Sequence, residues 1–269
     1  MPEPDVTIRE CTTTEDFQQC IALEREVWKD NDLGIMPIRL YMISRACNAP
    51  TIGAFDAAGK LVGFVHTMLA LVGRSVAYHS HLAAVRENLR HRDIGFSMKL
   101  AQRQAALDAG VPLVMWTFDP LQSRNAHLNI NKLGAVIRRY EPNYYGEGLS
   151  TVFGDGVPSD RVFAEWWVAS PHVTSTLAGQ RPEIKTELGS VLIPADIDSV
   201  REKSPADHLS YRIAAREAFL KCLSSGAIVR AFRHDPEKNE SRYLFGPDED
   251  QFSFAAYDGV KTAGKIAGT

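Results

Sequence analysis

Residues 111–118 read Val-Pro-Leu-Val-Met-Trp-Thr-Phe, an apolar run interrupted only by Thr117. The run is too short for a buried helix and has the length of a strand. A strand without polar alternation is covered on both faces, so the chain needs layers above and below a sheet. The segment before it, Gly95–Ala109, is rich in helix formers, and Gly110 and Pro112 stop it. A helix feeding such a strand is the local signature of a layered α/β fold.

The remaining segments extend the pattern. Val6–Arg9, Thr51–Phe55, Leu61–Leu71, Ser75–Val85, Ala135–Tyr140 and Arg161–Val168 have strand composition. Phe17, Ile21, Leu23, Val27 and Trp28 recur at helical spacing, after an N-cap at Thr12 or Thr13 with Glu15 and Asp16 placed for a capping box. Pro37 opens a second helix to Ala46, and Asn125–Leu133 forms a short one closed by Gly134. The order β, α, α, β, β, β, α, β, α, β, β predicts a mixed α/β sheet with helices on both faces, built by residues 1–169.

After Ser170-Pro171 the pattern weakens. Thr174–Glu187 reads as a polar linker and Val191–Ile193 as a strand. Ser204, Pro205 and Asp207 start a helix whose apolar face would be Leu209, Ile213, Leu220 and Leu223, ended by Gly226. Ile228–Phe232 and Tyr243–Phe245 would pair as a hairpin. Residues 170–254 are expected to form a small C-terminal α/β extension, and 255–269 a flexible tail.

Bulk properties narrow the function. The net charge of −3 argues against a nucleic-acid partner, which demands a concentrated basic surface. The four cysteines make no CxxC pair, so neither a disulfide framework nor a structural zinc site is expected. No run is long and apolar enough for a membrane span, and MPEPDVTIRE does not read as a signal peptide. These features lead to the expectation of a cytoplasmic protein without a membrane or a metal.

Chemistry concentrates where strand Ser75–Val85 runs through Arg86-Glu87-Asn88-Leu89-Arg90-His91-Arg92-Asp93-Ile94-Gly95-Phe96-Ser97 into a helix. Main-chain N–H groups at a helix start, the helix dipole and several arginines suit a pyrophosphate. Gly95 lets the backbone approach an anion closely. The spacing fits neither GxGxxG nor a Walker loop.

Arg92-Asp93-Ile94-Gly95-Phe96-Ser97 resembles the Gln/Arg-x-x-Gly-x-Gly/Ala motif of the GNAT (GCN5-related) acyltransferases, with Ser97 departing from glycine or alanine. Ser123–Ala135, with Ala126 and Lys132-Leu133-Gly134, is similar to the second motif of that family. The segment Trp116–Leu121 with Arg124-Asn125-Ala126 resembles a bacterial GNAT subgroup with a C-terminal extension. The resemblance implies acetyl-CoA or another acyl-CoA as co-substrate, bound through Ala83, Val85, Arg90, Arg92, Asp93, Ile94, Gly95, Phe96, Ser97 and Asn125. It implies acyl transfer to an amine and leaves the acceptor open, with a small-molecule amine or amino acid the expected class.

An amine attacks a thioester only when neutral, so a base is needed. His81, on the strand before the loop, is the candidate, since an imidazole is neutral near pH 7. His79 shares its face, but no third metal ligand is evident. Many GNAT relatives protonate the thiolate with a tyrosine. The matching position here is Ile130, which leaves Tyr140, Tyr144 or Tyr145, or unassisted departure. Glu24, Trp28 and Asp119 are candidates for the acceptor pocket, with Trp166 and Trp167 read as core. Asp119 could instead cap its loop, and Asn125 its helix. A non-catalytic acyl-CoA sensor and a protein-modifying acyltransferase are the competing readings. The extension could shape a homodimer contact.

Overall fold

A computed structural model of the protein describes residues 6–28, 34–90, 92–146 and 157–257. The loop expected at Asn31 and Asp32, the residue His91 and the tail from 258 onward lie outside them. The chain divides into two compact units, one ending at Val114 and the other running from Met115 to Tyr257.

The first unit has four antiparallel strands in sequential order: β1 (Val6–Glu10), β2 (Thr51–Asp56), β3 (Leu61–Val72) and β4 (Ser75–Val85). Three helices accompany them: α1 (Thr14–Trp28), α2 (Ile38–Ala46) and α3 (Ile94–Asp108). Thr13 and Asp16 cap α1 reciprocally. The Asp16 N–H donates to Thr13 Oγ1 at 3.1 Å, and the Thr13 N–H donates to the Asp16 carboxylate at 3.2 Å. Arg9 adds a two-pronged ion pair at 2.8 and 3.0 Å, which holds the Asp16 carboxyl well below its usual range.

The two faces of β2 and β3 carry two cores, with a bulge at Val62 of β3 opposite Ala54 and Phe55 shifting the alternation. Phe55, Leu61 and Phe64 pack with Phe17, Leu23 and Tyr41 of α1 and α2. Ala54, Val62 and Val65, one residue out of step, pack with Ile94 and Met98 of α3. Both faces of β3 are therefore apolar over its first half, and the strand is buried there on every side.

β5 (Leu113–Phe118) spans the boundary between units. The strands of the second unit follow the order β5, β7 (Arg161–Trp167), β6 (Val136–Glu141), β9 (Ile228–Asp235), β10 (Glu240–Gly246), β8 (Gly189–Pro194). The hairpin expected near the C-terminus exists, and its β9 pairs antiparallel with β6 through Ile137 and Val229. Residues after 185 thus continue the sheet that β6 and β7 begin. The compact units part at Val114, whereas the sequence pattern had set the boundary at 169. A change in composition marks where polar segments begin; strand pairing decides which segments share a core.

Two other expectations change. The stretch read as a linker from Thr174 begins inside α5 (Pro171–Leu177), which Ser170 caps through its side chain. The helix α7 (Pro205–Ser224) buries His208, Arg212, Ala215 and Phe219, while Leu209, Ile213 and Leu220 are exposed. Phe219 anchors it among Tyr140, Tyr243 and Phe245, with ring centroids 4.9–5.5 Å apart. Two ion pairs described below turn this stripe inward in place of the leucines. The other helices are α4 (Ser123–Ala126), which runs into a π-helical segment at His127–Lys132, α6 (Ile197–Lys203) and α8 (Phe254–Tyr257). The last falls where the start of a flexible tail was expected.

Phe64 is fully buried. Phe64→Ala is expected to cost about 3–5 kcal/mol, read as a lower urea midpoint with an unchanged slope.

Candidate functional site

β4 carries a local irregularity at the residue singled out for chemistry. His66 pairs with Leu82 and Thr67 pairs with Ser80, so His81 is an extra residue on β4 and forms a β-bulge. Two consecutive residues at a bulge can face the same side. His79 and His81 lie with ring centroids 5.9 Å apart, and Leu82 and Ala84 then join the core under α1 and α2. Beyond the bulge, Val85 contributes to the core under α3.

His81 itself is exposed, and its ring lies 6.5 Å from that of His66. The surrounding protein lowers the His81 pKa below its usual value by desolvation. Burial takes His66 down to about 3 and His79 down to about 4, each further lowered by the charge His81 would carry. All three rings are therefore neutral at pH 7. His66 is fixed in place, with Nδ1 2.7 Å from Thr51 Oγ1 and Nε2 3.3 Å from Ser44 Oγ.

After Val85 the chain makes a short 3₁₀ turn at Glu87–Leu89 and enters α3. Arg86 pairs with Glu26 at 3.0 Å, and the exposed Arg90 sends its Nε 3.5 Å toward the Val85 carbonyl. The N-cap residue, Asp93, has φ 52° and does not cap the helix through its side chain. Aspartate is one of the few residues other than glycine that adopts this conformation readily. Gly95 follows, and a Cβ built on it would meet only a Val85 methyl, at 3.9 Å. The space over Gly95 is open to a ligand. Ile94 is buried under the sheet, so only its backbone could face that ligand. Arg92, Phe96 and Ser97 are half-buried, and Ala83 is exposed on β4. The positive dipole end, the arginines and the open backbone at Gly95 coincide at this helix start, the features by which a helix N-terminus could hold an anion.

An open cleft of about 790 Å³ lies elsewhere in the same unit, lined by Glu10, Arg45, Asn48, Val76, Tyr78 and Asp108 among others. Tyr78 is seven residues before Val85, or roughly 23 Å along the strand at about 3.3 Å per residue. The C-terminal ends of α2 and α3 meet the cleft, so its helix dipoles oppose an anion.

Several residues proposed from sequence have other work. The buried Glu24 accepts from the Met36 N–H at 3.1 Å and from the Tyr41 hydroxyl at 3.4 Å, which ties α1 to the start of α2. Trp28 is exposed at the end of α1. In the second unit both Asp119 oxygens accept from Arg212 at 2.7 Å, and the Leu121 N–H donates to one of them at 2.8 Å. Asp119 thereby caps its loop, the alternative role weighed for it, and also pairs with Arg212. The Tyr140 hydroxyl donates to the fully buried Asp160 at 2.5 Å, and Arg216 grips the same carboxylate at 2.7 and 2.9 Å. Burial and this carboxylate raise the Tyr140 pKa well above its usual value, which suits anchoring better than proton delivery. Tyr145 stacks under Arg161 at 5.0 Å, and its N–H donates to Ser159 Oγ. Asn125 is exposed in the first turn of α4, where Gln122 holds the N-cap position.

The sequence reading overlooked His66, Lys99, Gln102, Asp160, Arg212 and Arg216. Lys99 and Gln102 left a trace: polar side chains on the stripe of α3 that otherwise buries Ile94, Met98 and Ala106.

No protein-family profile matches the chain, and no curated protein does. The structure is similar to that of an inferred acetyltransferase from Acinetobacter baylyi ADP1, at 16% identity and TM-score 0.50, over 62% of this chain and 94% of that one. It is also similar to a GNAT-family acetyltransferase from Streptococcus pneumoniae, at 17% identity and TM-score 0.48, over 60% of this chain and 98% of that one. The first likeness establishes the fold, a GNAT-like mixed α/β arrangement with mostly antiparallel strands. Among the described residues, no helix is long and apolar enough to cross a membrane.

Arg212→Met should cost about 1.5–3 kcal/mol, because it takes two charge-assisted hydrogen bonds from the half-buried Asp119 carboxylate. Adding Asp119→Asn should restore much of the loss in chemical denaturation. Arg212 holds the Asp119 pKa low. The pair's contribution is therefore present above the usual aspartate value of about 3.9 and fades as pH falls through the lowered one.

Proposed function

We propose that this protein is an acyl-CoA-dependent N-acyltransferase that moves an acetyl or other short acyl group to the amine of a small molecule or amino acid. The observation that carries the reading is the sequence of features along one strand. A bulge presents a neutral imidazole, and about a dozen residues later an open helix start follows, flanked by arginines. The GNAT-like fold supports it.

In this reading the backbone of Gly95 to Ser97, with Arg90 and Arg92, holds the diphosphate of the co-substrate. Ala83 and Val85 offer main-chain groups to its amide-bearing arm. His81 removes the ammonium proton from the acceptor. The amine nitrogen bonds to the acyl carbon as the carbon–sulfur bond breaks, and the proton the nitrogen then sheds reaches the departing thiolate through solvent. A free thiol has a pKa near ~8.5, so it can leave without a dedicated acid. That route accords with a Tyr140 hydroxyl engaged by Asp160 and a fully buried Ile130. The same two facts favour the second reading, an acyl-CoA sensor that binds without turnover.

Thiol release from acetyl-CoA or succinyl-CoA, measured against a panel of amines and amino acids, separates the two. Release with an amine supports the transferase; tight binding without release supports the sensor. His81→Gln should lower kcat/KM by about 10²–10⁴-fold at its plateau. His81 is active when neutral and its pKa is lowered. The wild type should therefore lose activity only as pH falls below ~6.5, and the variant should lack that acidic limb. Gly95→Val should fold normally, since its Cβ meets open space, yet bind coenzyme A at least tenfold more weakly by calorimetry. Equal affinity would remove the helix start from the site.

A further inference from the structure

On the face of the sheet opposite His66, a run of buried polar side chains borders the bulge. Lys99 on α3 donates from Nζ to Ser80 Oγ at 2.8 Å and to Gln102 Oε1 at 3.0 Å. Gln102 donates from Nε2 to Thr67 Oγ1 at 2.7 Å. Ser80 and Thr67 are cross-strand partners, and theirs is the last rung before the register shifts. All four residues are buried, from fully buried Thr67 and Gln102 to Lys99 at 6% exposure. On the other side of the shift, His66 pairs with Leu82 and is itself held by Thr51 and Ser44.

We propose that Lys99 and Gln102 are positioning residues that set the place of the β4 bulge and so aim His81. The inference rests on the transferase reading only for its catalytic consequence. A bulge leaves one residue unpaired and locally breaks the ladder, so small energies decide which residue it falls on. A slip of one residue sends a strand side chain to the opposite face. Were the bulge to form earlier on β4, the Thr67–Ser80 rung would be lost and His81 would pair in ordinary alternation with Leu82, which turns it toward α3. Burying an ammonium group in a helix–sheet interface is costly, and desolvation takes the Lys99 pKa down to about 7. An apolar residue would fill this core position at less cost, which argues for a purpose other than stability. That purpose is visible in the two strands the side chain joins through Ser80 and, by way of Gln102, Thr67.

The test compares wild type with Lys99→Met and Ser80→Ala, which remove the same bond from opposite ends. Three readouts are needed: kcat and KM with acetyl-CoA, coenzyme A affinity by calorimetry, and the imidazole resonances of His81 by NMR over a pH titration. Both variants are expected to lower kcat at least tenfold, to leave coenzyme A affinity within twofold, and to shift the His81 resonances and titration midpoint. If Lys99→Met does not fold, Ser80→Ala carries the comparison. Unmoved His81 resonances in a folded variant overturn the proposal, as does a loss of coenzyme A affinity that matches the loss of kcat. If wild type shows no turnover but the variants still move His81, the clamp stands and the transferase reading falls.

Discussion

The pairing of Thr67 with Ser80, followed at once by that of His66 with Leu82, organises the first unit. Between those rungs β4 accommodates one residue more than β3. The side chains on the two faces change phase there. Before the bulge, His79 lies on the α2 side; after it, Leu82 and Ala84 do. Each rung is anchored from a different face, Thr67 and Ser80 by α3 and His66 by α2 and β2. The kink is thus built in by packing, and the exposed imidazole at its apex is a consequence. The candidate base and the candidate anion site share this strand and the helix that follows it, so α3 serves both. Its start forms the candidate anion site, and Lys99 and Gln102 further along it brace the strands.

The second unit solves a different problem. Two acids near strand ends, Asp119 and Asp160, are each gripped by an arginine of α7. This fixes the rotation of the helix about its axis. The helix then buries Arg212, Ala215 and Phe219, keeps Arg216 half-buried and leaves Leu209, Ile213 and Leu220 in solvent. Hydrophobicity alone would choose the other stripe. Charge pairing at a buried carboxylate overrides it, since an unpaired charge at that depth costs several kcal/mol. The same pairing gives Asp119 and the Tyr140 hydroxyl partners within the fold.

Local signals sufficed for most of the elements. The hairpin of β2 and β3, the capping residues of α1, the Gly110 stop and the apolar β5 can each be read from short stretches of sequence, and each forms as expected. The arginine and glycine turn before α3 was equally legible, because close backbone approach and positive charge need particular residues at adjacent positions. Side-chain commitments were not legible. Asp119 finds its arginine 93 positions away, and Lys99 finds its serine 19 positions away. No window of sequence contains both partners.

By itself, the sequence determined a layered α/β chain, the order of strands and helices up to β7, and an arginine- and glycine-bearing entry to α3. These depend on periodicities and on conformational preferences of single residues. Tertiary structure alone decided that His81 sits at a bulge, that Glu24, Asp119 and Tyr140 are occupied, and that strands after residue 185 complete the second unit's sheet. Those outcomes turn on register and partner choice between distant segments, and register is settled only when both faces of a strand are packed at once.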